Sequence, residues 1–121
     1  NQPAILFLSM KLIKISEVPE SGVSHNSNIR KKVLVENNTL KGITNFSRAV
    51  FPPGEKAGRH LHEDMAEVFT CESGCGEIRI DDVGYVFSAG TTVVVEAREQ
   101  HEIINSGTTD LIVSYFGVLT D

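Results

Sequence analysis

The sequence predicts an all-β sandwich or barrel. Short runs rich in β-branched and aromatic residues recur along the chain, and turn signals built on Gly, Pro, Asn and Asp separate them every several residues. No segment places apolar residues at helical spacing. A chain of 121 residues suits a single domain and can bury a core without disulfides. The expected domain runs over residues 10–121, because Met10-Lys11-Leu12-Ile13-Lys14-Ile15 reads as a natural start. Residues 1–9 read as an N-terminal extension, added artificially or arising from a different start site, and are set outside the functional argument. Ala4 to Leu8 is too short for a signal core and has no basic residue before it.

In chain order, Lys11 to Ile15 is an edge-strand candidate. Residues 16–31 are rich in Ser, Asn, Gly and Glu and read as loop, with His25 a solvent-exposed residue of it. Val33-Leu34-Val35 is β-branched and apolar. Ile43 to Phe51 is a longer strand, stopped by Pro52-Pro53-Gly54. Glu67 to Glu72 and Glu77 to Asp81 flank Ser73-Gly74-Cys75-Gly76 as a hairpin, and Asp81-Asp82-Val83-Gly84 makes the next turn. Tyr85-Val86-Phe87 and Thr91 to Val95 are two more strands around Ala89-Gly90. His101 to Asn105 follows, then the turn Ser106 to Asp110, and Leu111 to Leu119 closes the chain.

Two of these segments carry chemistry. His60 and His62 are two apart, so in an extended chain both imidazoles point to one face. Glu67 follows a short polar stretch that can turn the chain and bring a carboxylate alongside. Its apolar neighbours make it an inward residue, and an inward carboxylate needs a cationic partner. His101 opens an apolar strand that could return a third imidazole to the same cavity. Three imidazoles and one carboxylate leave about two positions of an octahedron open, a set that suits Fe, Mn, Zn or Ni. Singly, each histidine is more often a surface or core residue than a ligand; the clustering lifts the metal reading above that alternative.

The spacing resembles the cupin family. Its first motif, Gly-x5-His-x-His-x4-Glu-x6-Gly, is met by Gly54, His60, His62, Glu67 and Gly74. Its second, Gly-x5-Pro-x-Gly-x2-His-x3-Asn, is met at Gly90, His101 and Asn105, while Glu96 stands for the proline and Arg98 for the glycine. The resemblance implies a small single-domain cupin with a jelly-roll (double-stranded β-helix) barrel. It implies a metal ion on His60, His62, Glu67 and His101. It also implies a dioxygenase, an isomerase or epimerase, or a binding or sensing module without turnover. A metal-dependent enzyme of dioxygenase type acting on a small polar molecule is the first expectation. No general base beyond the ligands is identifiable, and the absence of Trp disfavours a large planar substrate.

Composition narrows the partners. Eleven Lys and Arg against sixteen Asp and Glu give a net charge of −5, which argues against nucleic-acid or anionic-membrane surfaces. Arg30-Lys31-Lys32 reads as a solvated strand entry. No apolar run approaches the ~20 residues of a membrane helix. Cys71 and Cys75, the only cysteines, read as free thiols of a cytoplasmic protein, Cys71 as a small buried hydrophobe. Asn105 reads as a strand-end cap. Exposed barrel edges, with Leu12-Ile13 and the final strand, predict a homodimer.

Overall fold

The computed structural model describes residues 10–23 and 26–120. Residues 1–9 and His25 therefore lie outside the described residues. A single 3-10 turn at Ile15–Glu17 precedes the strands β1 (Ser21–Val23), β2 (Asn26–Val35), β3 (Ile43–Phe51), β4 (Lys56–His60), β5 (Met65–Ser73), β6 (Cys75–Ile80), β7 (Val83–Ser88), β8 (Thr92–Val95), β9 (His101–Ile104) and β10 (Leu111–Leu119). They form two antiparallel sheets, one ordered β1-β2-β3-β10-β5-β8 and the other β4-β9-β6-β7. The last strand inserts between β3 and β5, so Tyr115 faces Ser47 on one side and Phe69 on the other. This is the jelly-roll arrangement of an all-β chain.

Period-two alternation decides what is inside. Ser47, Ala49 and Phe51 on β3, Glu67, Phe69 and Cys71 on β5, and Leu111 and Val113 on β10 are all buried. The smaller sheet contributes Ile78, Phe87 and Ile103 to the same core. Burying each large apolar side chain contributes about 1.5–3 kcal/mol. Truncating Phe87, which is fully enclosed, would cost about 3–5 kcal/mol. Two turns depend on backbone freedom. Asp81 and Asp82 both take positive φ, 47° and 70°, at the centre of the two-residue β6–β7 hairpin, as a type I′ turn requires. Gly74 sits at φ 91° with the Asp110 carbonyl where a Cβ would stand.

Two expectations fail here. Lys11 to Lys14 forms no strand, and Ile15 opens the 3-10 turn instead. Leu12 and Ile13 are exposed, and β1 takes the edge beside β2 that they would need. Conversely, residues 16–31 are not one loop. β1 and the first half of β2 lie within them, and Ile29 is wholly buried. Their polar composition reflects the opposite parity. Asn26 and Asn28 donate from their amides to Glu55 at 3.0 and 3.2 Å, tying β2 to the turn after β3.

Candidate metal centre

Four side chains converge at one end of the space between the sheets. Glu67 projects inward from β5 on the same parity as Phe69 and Cys71, and it is 5% exposed. His101 opens β9 with Ile103 on its inward parity, and it is 2% exposed. β4 pairs with β9 so that His60 lies directly across from His101. His62 lies beyond the end of β4, in irregular chain, rather than within one continuous strand as its spacing from His60 suggested. Its backbone is fixed by the turn before β9, where Arg98 N–H donates to the His62 carbonyl at 2.7 Å. One ligand-type atom from each of His60, His62, Glu67 and His101 lies within 4.8 Å of the others. The His60 and His101 ring centres are 4.2 Å apart, those of His60 and His62 5.1 Å.

The turn that delivers His101 departs from the family pattern and still closes. Arg98 occupies the left-handed region, φ 71°, where glycine is the easy choice. That conformation costs a non-glycine residue about 1–2 kcal/mol. Two bonds across the turn offset it. Glu99 N–H donates to the Glu96 carbonyl at 3.2 Å, and Glu96 N–H donates to the Glu99 carboxylate at 2.8 Å.

Backbone carbonyls set the histidine tautomers. His101 Nδ1 lies 3.1 Å from the Glu99 carbonyl, and His60 Nδ1 lies 2.8 Å from the Gly58 carbonyl. A carbonyl only accepts, so each Nδ1 carries the proton and each neutral ring keeps its lone pair on Nε2. His101 Nε2 then faces Glu67 Oε1 at 3.0 Å, and His62 Nε2 faces the same oxygen at 3.3 Å. The His101 lone pair aimed at a buried carboxylate is repelled unless a proton or a metal ion lies between them. The donor set therefore fits a divalent cation, which all four side chains could hold through Nε2 or carboxylate oxygen. Although His60 as a whole is exposed, protein crowding about its ring pushes its pKa below the ordinary value. Repulsion from the other two imidazoles adds to the drop, while the Gly58 carbonyl and Glu67 oppose it.

A cavity of about 580 Å³ opens beside the cluster. Its walls are largely apolar, with Phe51, Phe69, Ile103 and Val113 shared with the core. Lys31 and Tyr115 also line it. Tyr115 stacks on Phe69 with ring centres 5.5 Å apart; burial pushes its hydroxyl pKa up, opposed by a hydrogen bond with Ser47. Ser47 in turn donates to Asn45 at 2.7 Å. Inward parity counted from Leu111 and Val113 was the sequence signal for Tyr115. Lys31 corrects the expectation of a wholly solvated Arg30-Lys31-Lys32 entry, since only its two neighbours turn away from the cavity.

Other polar side chains do other work. Asn105 is fully buried and clamps the chain: its amide donates to the Phe51 and Thr109 carbonyls, and its oxygen accepts from Gly107 N–H. Glu63 and Asp64 form an exposed bend. Cys71 and Cys75 are free thiols; burial pushes the Cys71 pKa up, which makes it a packing residue rather than a nucleophile. Tyr85 is half exposed, Arg48 pairs with Glu72, and Arg79 pairs with Glu77, and none of the three lines the cavity.

The cupin domain family model matches residues 47–116. An oxalate-binding protein of Thermotoga maritima is 33% identical over 66 residues, 54% of either chain, so the match spans about half that relative's length. A crystal structure described as a predicted oxalate decarboxylase from Thermotoga maritima superposes with TM-score 0.84 at 24% identity, over 90% of this chain and 99% of that one. A sugar phosphate isomerase of a cupin superfamily from Silicibacter pomeroyi gives 0.77 at 14%, over 89% and 75%. At these identities the two structural likenesses speak to the fold.

Proposed function

We propose, from the premise that this chain belongs to the cupin domain family, that it holds one divalent metal ion on His60, His62, Glu67 and His101 and presents it to a small carboxylate-bearing molecule. The observation that carries this is the buried Glu67 oxygen, which faces two imidazole nitrogens at 3.0 and 3.3 Å. Three neutral imidazoles and one carboxylate would leave a divalent centre at a net charge of +1, which favours an anionic guest. When bound, the ion would supply Lewis acidity and, if iron, one-electron chemistry toward O₂. The protein's part is to orient the His60 and His101 lone pairs through backbone carbonyls and to keep water away with the Phe51, Phe69 and Val113 walls.

Dioxygenase-type turnover of the bound molecule remains our first reading. Isomerase or epimerase chemistry needs an acid–base group beyond the ligands. The cavity's other titratable side chains are Lys31, Arg59 and Tyr115, and Tyr115 is held protonated by its raised pKa. The same observation favours a second reading, a binding or sensing module without turnover, in line with a relative named for binding oxalate. The setting proposed is a cytoplasmic homodimer in which each chain contributes one cupin domain over residues 10–121. Among the described residues no helix is long and apolar enough to cross a membrane.

Anaerobic loading with Fe(II), followed by oxygen-electrode measurements with oxalate and longer carboxylates, separates the readings. Oxygen uptake stoichiometric with carboxylate consumed supports the dioxygenase. Tight binding without uptake supports the binding module. Failure of the wild type to retain any divalent metal overturns the proposal.

A further inference from the structure

Lys31 lies on the cavity face of β2. Its parity is set by Ile29, two residues earlier and wholly buried. The neighbouring cations turn the other way, Arg30 to Glu20 at 3.4 Å and Lys32 to the Ile15 carbonyl at 2.8 Å. Across the sheet Lys31 pairs with Ala49, and both line the cavity that holds Glu67 and His101. Arg59, the other cation of the cavity wall, is tied to Asp82 at 2.6 Å. Among the described residues Lys31 has no ion pair, so its charge is available to a guest.

The four-residue cluster and Lys31 stand apart. In the sheet order β2-β3-β10-β5, two strands separate Lys31 from Glu67. Three strand spacings of ~4.8 Å amount to roughly 14 Å across the sheet; the register Lys31–Ala49–Val113–Cys71 leaves Glu67 four residues further along β5, about 13 Å more at ~3.3 Å per residue, so the two backbones lie roughly 19 Å apart, a span that both side chains and sheet curvature shorten. The wall between them is apolar: Ala49, Val113 and Phe69. A guest that reaches from the metal-holding cluster to Lys31 along this wall needs an anionic group for each and an apolar stretch between them.

Resting on the metal-centred reading above, we propose that Lys31 is a specificity-determining residue that binds the second carboxylate of a linear dicarboxylate whose first carboxylate sits at the four-residue cluster. The ligand class is therefore a dicarboxylate with a methylene spacer, rather than one as short as oxalate.

The test uses metal-loaded full chain and isothermal titration calorimetry with malonate, succinate, glutarate and adipate, each against the monocarboxylate of equal chain length. The wild type should prefer at least one dicarboxylate by about tenfold or more, the order of one charge-assisted contact. Lys31→Met, which keeps the apolar stem, should abolish that preference while leaving monocarboxylate affinity and metal content unchanged. Lys31→Arg should retain most of it. A wild type that binds metal but shows no dicarboxylate preference overturns the role of Lys31 alone, and so does equal weakening of both ligand types in Lys31→Met. A wild type that takes up no metal overturns the metal-centred reading and this inference with it.

Discussion

Replacing Glu67 by glutamine separates a ligand from a structural residue, because the two roles predict effects on different quantities. The change is isosteric and removes one negative charge from a position 5% exposed. Two unit charges about 4 Å apart at an effective dielectric near 20 interact by about 4 kcal/mol. A divalent ion in direct contact feels more than this. Part is returned because a buried carboxylate no longer needs desolvating and the amide oxygen remains a weak ligand. The net loss should be at least about 3 kcal/mol, roughly a hundredfold in metal affinity. Without metal the substitution should be nearly neutral, within about 1 kcal/mol. The glutamine amide can donate to the bare Nε2 of His101 across the present 3.0 Å contact, where the carboxylate required a proton. The assay is a chelator-competition titration paired with denaturant melts of metal-free wild type and Glu67→Gln. Unchanged metal affinity, together with a loss of several kcal/mol in the metal-free fold, would refute the reasoning and make Glu67 a structural partner of the histidines.

Further outcomes follow from the same geometry. His101→Ala should weaken metal binding about ten- to a hundredfold without abolishing it, since His60, His62 and Glu67 remain a facial set. In wild type the metal should leave as pH falls below about 6.5, because ligating imidazoles must be neutral; the lowered His60 pKa delays proton competition at that ligand. Metal titrations of both proteins at several pH values check this, and identical affinities would leave His101 a strand residue. Tyr115 has a raised pKa in the fold. The unfolded chain therefore loses that proton first, and the hydroxyl's contribution is complete below about pH 10 and lost as pH rises beyond it. Tyr115→Phe should flatten the alkaline limb of a stability–pH curve, and an unaltered limb would contradict this. Light scattering at micromolar concentration should report a dimer; the exposed Leu12, Val118 and Leu119 offer the apolar surface, and a monomer alone would count against it.

The strands most legible in the sequence were those bounded by strong turn residues. β3 was readable to its end because Pro52-Pro53-Gly54 stops it, and β10 because an almost continuous apolar and aromatic run follows the turn Ser106 to Asp110. The first half of β2 was hidden because its outward parity carries Asn26, Asn28 and Arg30, so composition spoke louder than the single buried Ile29 between them. The convergence of His60, His62, Glu67 and His101 was legible from spacing. The reason His62 reaches the cluster was not, since it depends on a backbone bond from Arg98 across 36 positions. Nor could spacing tell that an arginine would accept the left-handed turn before His101. Lys31 and Tyr115 needed a parity anchor on their own strands, Ile29 for the one and Leu111 and Val113 for the other, and which parity faces inward shows only once those residues are seen to be buried.

The central claim is that these four side chains form one divalent metal site. Elemental analysis of protein purified without added metal, wild type beside a His60→Ala, His62→Ala double variant, tests it most directly. Wild type should carry close to one divalent ion per chain, and the double variant, still folded by circular dichroism, should carry essentially none. Equal metal content in the two proteins, or none in either after loading with Fe(II), Mn(II), Zn(II) and Ni(II) in turn, would contradict the account.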